Sequence, residues 1–134
     1  MAAQTQSPTT EGYNELGKFV AGEAATAMKS VCCLKTSCTA DETQTSVGVT
    51  KCTESGMTLV NADTVKAVAD LATTDCVQID HKFTAGAAVT TLGFGWWNAD
   101  GDVLYGICCF AAGVTLAKDD TLTVQAKNTF KKGT

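Results

Sequence analysis

The stretch GFGWWNADGDVLYGICCF, residues 93 to 110, carries the clearest structural signal in the chain. With Leu92 before it, Phe94 and Trp96 fall on one face of a strand, because successive side chains of a strand point to opposite faces. Asp100-Gly101 follows, and this dipeptide is typical of tight hairpin turns, in which glycine tolerates a positive φ. The rest of the stretch supplies the returning strand. The sequence therefore predicts an antiparallel β-hairpin here.

Similar alternation of apolar and polar residues extends to both sides of this hairpin. A polar turn at Lys118-Asp119-Asp120 separates it from the last run. One flanking run places Val77, Ile79, His81 and Phe83 on the same side of a strand. The other does so with Leu122, Val124 and Ala126. Several short strands with polar turns are typical of two-layered β folds. We predict a mainly β protein: an antiparallel β-sandwich, jelly-roll-like, with a short N-terminal helix.

The N-terminal part is less regular. Residues 1 to 10 are polar and predict a flexible arm, and Tyr13, Leu16 and Phe19 follow at helical spacing. These residues predict a helix over 11 to 21 that stops at Gly22. We expect two parts in the chain, the arm and a single β-sandwich domain over residues 11 to 134.

Between the helix and the hairpin the signals are weaker. Residues 27 to 34 predict a strand, residues 35 to 46 a polar loop, and residues 47 to 52 the edge of a strand. Residues 64 to 72, TVKAVADLA, fit a helix or a strand. We favour the strand because the neighbouring segments are strands.

Composition argues against several classes of function. The 134 residues carry a net charge of -4, and all ten basic residues are lysines, so no basic face or arginine cluster suggests nucleic-acid binding. The longest apolar run, residues 107 to 112, is far shorter than the ~20 residues of a membrane span. The first ten residues do not resemble a signal peptide, so we expect a protein that is made and retained in the cytosol or leaves it by a route that the sequence does not encode.

The seven cysteines and the single histidine do not form a metal-binding pattern. Cys32-Cys33 and Cys108-Cys109 are adjacent pairs, whose thiols point to opposite faces of a strand. We expect mostly buried thiols, with disulfides formed after release as the alternative. If disulfides form, Cys33 or Cys38 with Cys52 is the expected pairing, since these cysteines bracket a polar loop.

Other candidates for chemistry are few. His81 lies on the apolar side of its strand, which favours a packed, hydrogen-bonded side chain over a general base or a metal ligand. Asp100 and Asp102 flank the turn glycine, and we interpret them as turn residues rather than a calcium loop. We predict no catalytic residue, no metal and no cofactor, and therefore no enzyme.

Trp97 is the first candidate for an interface. By phase with Phe94, Trp96 faces the core and Trp97 the opposite face, where it is exposed unless another element covers it. An exposed Trp beside a turn suits an interface anchor or a platform for a sugar ring, and burial under the N-terminal helix is the structural alternative. Tyr13 and Phe19 of the predicted helix are further interface candidates.

The chain resembles a family of small virion proteins of tailed bacteriophages, which includes head-decoration (cement) and tail-associated proteins. The segments that carry the resemblance are GYNELGKFVAG, TESGMTLV, CVQIDHKFTAG and, most specifically, GFGWWNADGDVLYGICCFAAGVTLAKDDTLTVQAKNTF, residues 93 to 130. Two features depart from the family pattern: the strands are rich in cysteine, and Leu92 stands where some relatives carry a glutamate.

The resemblance implies a β-sandwich that assembles on a particle surface, often as a trimer, and it brings no catalytic residues. We therefore expect a capsid decoration protein that binds the outer surface of a phage head as an oligomer and stabilises it. Its expected partners are itself and the major capsid protein or another virion protein, with no nucleic acid and no membrane. Its expected location is the virion, assembled in the host cytoplasm. The alternatives are a tail or fibre-associated protein and a carbohydrate- or receptor-binding module.

Overall fold

The structure is a computed structural model that describes residues 4 to 68 and 76 to 129. Half of the residues in these ranges form eight strands, and one helix packs against them. The elements in chain order are β1 (Thr5–Pro8), α1 (Thr10–Ala21), β2 (Met28–Leu34), β3 (Val60–Asn61), β4 (Thr64–Val68), β5 (Cys76–Thr84), β6 (Val89–Asn98), β7 (Leu104–Leu116) and β8 (Thr121–Thr129).

The strands form two antiparallel sheets. The large sheet has the order β1-β7-β6-β2-β3, and the small sheet has the order β4-β5-β8. The hairpin β6–β7 belongs to the large sheet, while the strands before and after it, β5 and β8, pair with each other in the small one. The predicted mainly β class and antiparallel sandwich are confirmed.

The predicted hairpin is present, with its turn at the Asp-Gly dipeptide. Gly101 has a φ of 75°, and its backbone N–H donates to the carbonyl oxygen of Asn98 at 3.2 Å. Only glycine adopts this left-handed conformation without steric cost. The returning strand β7 is longer than predicted, since it runs to Leu116 rather than ending at Phe110.

The large sheet is buried on both faces, which creates two apolar cores. The inner core lies between the sheets and includes Val31, Cys33, Phe94, Trp96 and Cys108 together with Ile79, Phe83, Val124 and Ala126. The outer core lies on the opposite face of the large sheet and consists of Cys32, Leu34, Trp97, Leu104, Ile107 and Cys109. Cys38, Ala40, Val49 and Leu59 pack on the outer core, so the segment of residues 35 to 59 covers it. We call residues 35 to 59 the outer segment.

Adjacent residues divide between these two cores as the strand period requires. Cys32 lies in the outer core and Cys33 in the inner core. The pairs Trp96-Trp97 and Cys108-Cys109 divide in the same way. The prediction that adjacent cysteines face opposite sides is therefore confirmed.

Two glycines make room for the two tryptophans. Gly106 lies opposite Trp96 across the hairpin, and a Cβ atom on Gly106 would overlap the Trp96 ring. On the other face a Cβ atom on Gly95 would lie 2.7 Å from the ring atom Cη2 of Trp97. Real Cβ atoms do not approach this closely, so each large ring depends on a missing side chain beside it.

The N-terminal prediction needs correction. Residues 5 to 8, predicted as part of a flexible arm, form β1 and pair with β7 from Gly106 to Cys109. Thr9 is fully buried and caps the helix. The exposed polar side chains of an edge strand resemble those of an arm, and only the hydrogen bonds of the backbone distinguish the two.

The other boundaries agree closely with the sequence. The helix begins at Thr10, one residue before the prediction, and ends at Gly22, whose φ of 74° makes it a left-handed cap. The predicted strand over 64 to 72 is confirmed for Thr64–Val68, and its remainder lies outside the described residues. Residues 47 to 52 contribute only an isolated bridge between Lys51 and Leu34. No helix in residues 4 to 68 and 76 to 129 has the length and apolar character needed to cross a membrane.

The position of α1 gives a direct test of the packing. Gly12 of α1 faces β7, and a Cβ atom there would lie 2.8 Å from the Cα atom of Tyr105. We expect Gly12→Ala to lower the free energy of unfolding by roughly 1–3 kcal/mol, because the helix must move away from the sheet. Gly17→Ala is the matched control, since nothing lies within 4 Å of its Cβ position. That change should raise stability by about 0.5–1 kcal/mol.

Urea unfolding of the two variants and the wild type measures both effects. Equal shifts of the midpoint for Gly12→Ala and Gly17→Ala would contradict the close approach of α1 to β7.

Candidate functional site

An apolar groove runs between α1 and the two sheets. It consists of two adjoining cavities of about 180 and 160 Å³ that share Leu16, Met28 and Tyr105 in their walls. The smaller cavity is lined only by apolar residues and Tyr105, while polar groups border the larger one. Phe19, Val65 and Val77 complete the apolar end; Gln6, Ser7, Tyr13, Lys127 and Asn128 border the polar end. A cleft of this composition can bind an apolar side chain beside hydrogen-bonding groups.

Hydrogen bonds at the start of α1 fix the helix, which forms one wall of the groove. The Thr9 hydroxyl accepts a hydrogen bond from the Gly12 N–H at 3.1 Å and donates to the carbonyl oxygen of Leu104. The Glu11 carboxylate accepts from the backbone N–H groups of Leu104, at 2.7 Å, and Ser46. The start of α1 is therefore bonded to both β7 and the outer segment.

The floor of the groove is aromatic and hydrogen-bonded. The Trp96 indole N–H donates to the Asn128 side-chain oxygen at 3.0 Å, which links the two sheets. The Tyr105 hydroxyl donates to the carbonyl oxygen of Thr26. Burial raises the pKa of Tyr105 to about 12, so this hydroxyl keeps its proton at neutral pH. The floor is thus a fixed surface.

A polar network holds the connection between α1 and β2 against the hairpin. The Glu15 carboxylate accepts from the backbone N–H and the hydroxyl of Thr26 at 3.1 and 3.0 Å. The backbone N–H of Thr26 lowers the pKa of Glu15 most, and Lys18 lowers it further. The buried Asn98 side chain donates to the Thr26 hydroxyl at 2.7 Å and to Asp102 at 2.6 Å. Asp102 therefore acts as a turn residue, as predicted.

Two of the predicted interface residues border this groove. Tyr13 is 56% exposed and lines the polar end, and Phe19 is 44% exposed and lines the apolar end. Nearby Val20 and Val65 are also exposed. The helical spacing that singled out Tyr13 and Phe19 places them on the same side of the groove, although it gave no sign of the groove itself.

The prediction of an exposed Trp97 is wrong. Trp97 faces away from the inner core as expected, but it is completely buried in the outer core. The outer segment covers it, and the ammonium group of Lys51 lies 5.2 Å from the centre of its ring. Its indole N–H has no hydrogen-bond partner within the described part of the chain. The predicted polar loop gave no sign that it folds back as a cover, and the cover is not the N-terminal helix considered as the alternative.

The predicted disulfide pairing is also wrong in its partners. Cys38 is disulfide-bonded to Cys109 rather than to Cys52, and Cys33 and Cys52 are buried free thiols. Cys33 faces the inner core, whereas Cys38 lies over the outer face next to Cys109. The pairing follows from which face each cysteine occupies, and proximity along the chain does not reveal it.

The disulfide is accommodated by Gly93. A Cβ atom on Gly93 would lie 2.7 Å from the Cys38 sulfur and would overlap the backbone of β7. The bond joins cysteines 71 residues apart in sequence. Closing a loop of this length restricts the unfolded chain enough to stabilise the fold by about 4 kcal/mol in the chain-entropy model.

The remaining titratable candidates have structural partners. The ring atom Nδ1 of His81 lies 2.9 Å from the Asp63 carboxylate, and the ring packs edge-on against Phe83. The pKa of Asp63 is lowered chiefly because the backbone N–H of Lys82 donates to it. His81 is thus packed and hydrogen-bonded, as the sequence favoured. In the described ranges, no group of three or more His, Cys, Asp or Glu residues is placed to hold a metal ion.

Sequence reasoning missed Met28, Lys127 and Asn128 as residues of the groove. Met28 is the second residue of a predicted strand, Lys127 ends the last alternation and Asn128 follows it, so neither stretch suggested a site. Their role depends on how far β8 extends beside the N-terminal strand β1, which is a property of the tertiary fold.

The state of the cysteines can be measured by counting thiols. We expect slow labelling of the native protein, because all five free cysteines are buried. Burial also raises the pKa of Cys32 and Cys33 to about 12, which leaves almost no reactive thiolate at neutral pH. Unfolding without reductant should expose five thiols, and unfolding with reductant seven. Seven thiols without reductant in oxidised protein would contradict the Cys38–Cys109 bond.

Comparisons of the chain with protein-family models, with curated proteins and with solved structures found no match. The function proposed for the chain therefore rests on its own residues and their contacts.

Proposed function

We propose that the protein is a structural component of a virus particle: a decoration protein that binds the outer surface of a tailed-bacteriophage head as an oligomer. The motifs of residues 93 to 130 support this proposal through their resemblance to small virion proteins of such phages. The antiparallel sandwich is the fold that the resemblance implies. Self-association and attachment to the shell would then stabilise the head.

The observation that carries the proposal is the exposed apolar border of the groove. Phe19 and Val65, which are 44% and 40% exposed, both line the apolar end of the groove, where α1 meets the small sheet. Tyr13, 56% exposed, borders the polar end, and Val20, next to Phe19 in α1, is 92% exposed. Removing apolar area from water lowers the free energy by roughly 25 cal/mol per Å², so a partner that covers this border is bound favourably. Contiguous exposed apolar surface of this kind commonly marks an interaction site.

This surface offers only a small contact area, which suits binding to a shell that repeats the same binding site many times. A groove of this size can hold only a few side chains of a partner. When an oligomer engages several sites of one shell, the contacts act together and the overall affinity rises far above that of a single contact. Binding as an oligomer would therefore let a small domain with such a groove attach firmly to a particle.

Of the alternatives, the carbohydrate-binding module loses its main support. It relied on Trp97 as a stacking platform, and Trp97 is completely buried. A tail or fibre location uses the same kind of surface, and it differs only in where the protein lies on the particle.

The groove makes a specific prediction for assembly. We expect Tyr13→Ser and Phe19→Ser each to weaken self-association and binding to purified particles about tenfold, because each removes a large apolar contact. Stability should change less than it would for a fully buried aromatic residue, since about half of each side chain is exposed. Val47→Ser is the matched control: Val47 is 92% exposed but lies outside the groove, so its loss should change neither property.

Light scattering gives the oligomeric state, and co-sedimentation with particles gives the affinity. Immunogold labelling of the same particles should place the protein over the head. Labelling confined to the tail would contradict a head location and support the alternative of a tail or fibre-associated protein. A failure to bind particles at all, or equal effects of the groove variants and Val47→Ser, would contradict the proposal.

A further inference from the structure

One of the seven cysteines, Cys38, differs from the rest in its surroundings. Cys38 is half-buried, whereas Cys32, Cys33, Cys52, Cys76, Cys108 and Cys109 are buried. Burial raises the pKa of Cys108 to about 11 and that of Cys33 to about 12. Buried thiols in apolar surroundings are inert, so thiol–disulfide exchange is directed to the sulfur of Cys38.

The disulfide of Cys38 attaches a short stretch of the outer segment, residues 36 to 40, to the large sheet. Hydrogen bonds to the rest of the fold flank the stretch: the Lys35 N–H donates to Thr50 at 3.0 Å, and the Glu42 carbonyl accepts from Thr10 at 2.9 Å. Inside the stretch, Ala40 packs on the outer core, and the Cys38–Cys109 bond ties the backbone to β7.

A strained residue lies at the start of the same stretch. Thr36 has a φ of 72°, in the left-handed region that β-branched residues rarely adopt. Such a conformation persists only where the surrounding structure enforces it. The disulfide lies two residues further on, and Thr36 is exposed. Release of Cys38 would therefore let the backbone at Thr36 relax away from the sheet.

We propose that the Cys38–Cys109 disulfide is a reversible redox clasp, which opens residues 36 to 40 on reduction and uncovers part of the outer core. A thiolate of a dithiol reductant attacks the Cys38 sulfur, and the Cys109 sulfur leaves and takes up a proton. The second thiol of the reductant then displaces Cys38 from the mixed disulfide. Two electrons and two protons end on Cys38 and Cys109, and the reductant becomes a disulfide.

The clasp acts locally because the two β-sheets do not depend on it. Cys109 pairs with Gly93 in the hairpin through its backbone, and the inner core and the bonds between Glu11, Ser46 and Leu104 involve neither sulfur of the disulfide. In an oxidising environment the outer face is closed, and in a reducing one a patch of apolar surface beside Cys109 is open to solvent.

Hydrogen exchange of the native protein, followed by mass spectrometry, tests the clasp with dithiothreitol as the reductant. We expect peptides covering residues 36 to 40 to exchange faster after reduction by a factor about ten times larger than that of β6 and β7, whose peptides remain the best protected. Oxidised glutathione should restore the slow exchange. Cys38→Ser should exchange fast in this stretch with or without reductant. Cys76→Ser, a change at a free cysteine outside the outer segment, should retain the wild-type response.

Three results would overturn the clasp. The first is a disulfide that dithiothreitol does not reduce in the folded protein. The second is a reduced protein, two mass units heavier, with unchanged exchange at residues 36 to 40. The third is an equal acceleration of exchange at residues 36 to 40 and in β6 and β7, which would mean that the bond acts only on the stability of the whole fold. The wild-type measurement decides among these results even if a variant fails to fold.

Discussion

The hairpin β6–β7 must be covered on both faces, and the rest of the structure depends on that constraint. Trp96 and Cys108 project to one side, and Trp97 and Cys109 to the other. A sandwich of two sheets covers only one of these faces. Leaving a completely apolar second face in water would cost several kcal/mol, since truncation of one buried Trp alone costs about 3–5 kcal/mol. The outer segment therefore has to fold over the large sheet.

The two covers differ in how they are held. The small sheet closes the inner core with three hydrogen-bonded strands and with the bond from Trp96 to Asn128. The outer segment has no regular strand among residues 35 to 59, so isolated backbone hydrogen bonds, side-chain contacts and a covalent bond hold it in place. Three glycines of the hairpin, at positions 93, 95 and 106, leave the space that the disulfide and the two tryptophan rings occupy. The same stretch of sequence thus determines the hairpin, the outer core and the attachment of its cover.

Strand periodicity predicted the parts of the fold that depend on local pattern. The hairpin, the helix ending at Gly22 and the division of Trp96 from Trp97 follow from alternation and turn chemistry, and the structure agrees. The burial of Trp97 and the partner of Cys38 depend on a long polar-looking segment folding back over the sheet. That segment has too few apolar residues to reveal a periodicity. For the groove, the sequence supplied Tyr13 and Phe19, while the opposing wall comes from residues far away along the chain.

Acrylamide quenching of two variants with one tryptophan each tests the covered outer face most directly. Trp96→Phe leaves Trp97 as the only tryptophan, and Trp97→Phe leaves Trp96. We expect the remaining tryptophan of each variant to be strongly protected from quenching, because Trp97 is 0% and Trp96 4% exposed. Unfolding with urea should remove the protection of both. A Trp97 that is quenched in the folded protein as readily as free indole, beside a protected Trp96, would contradict the outer core.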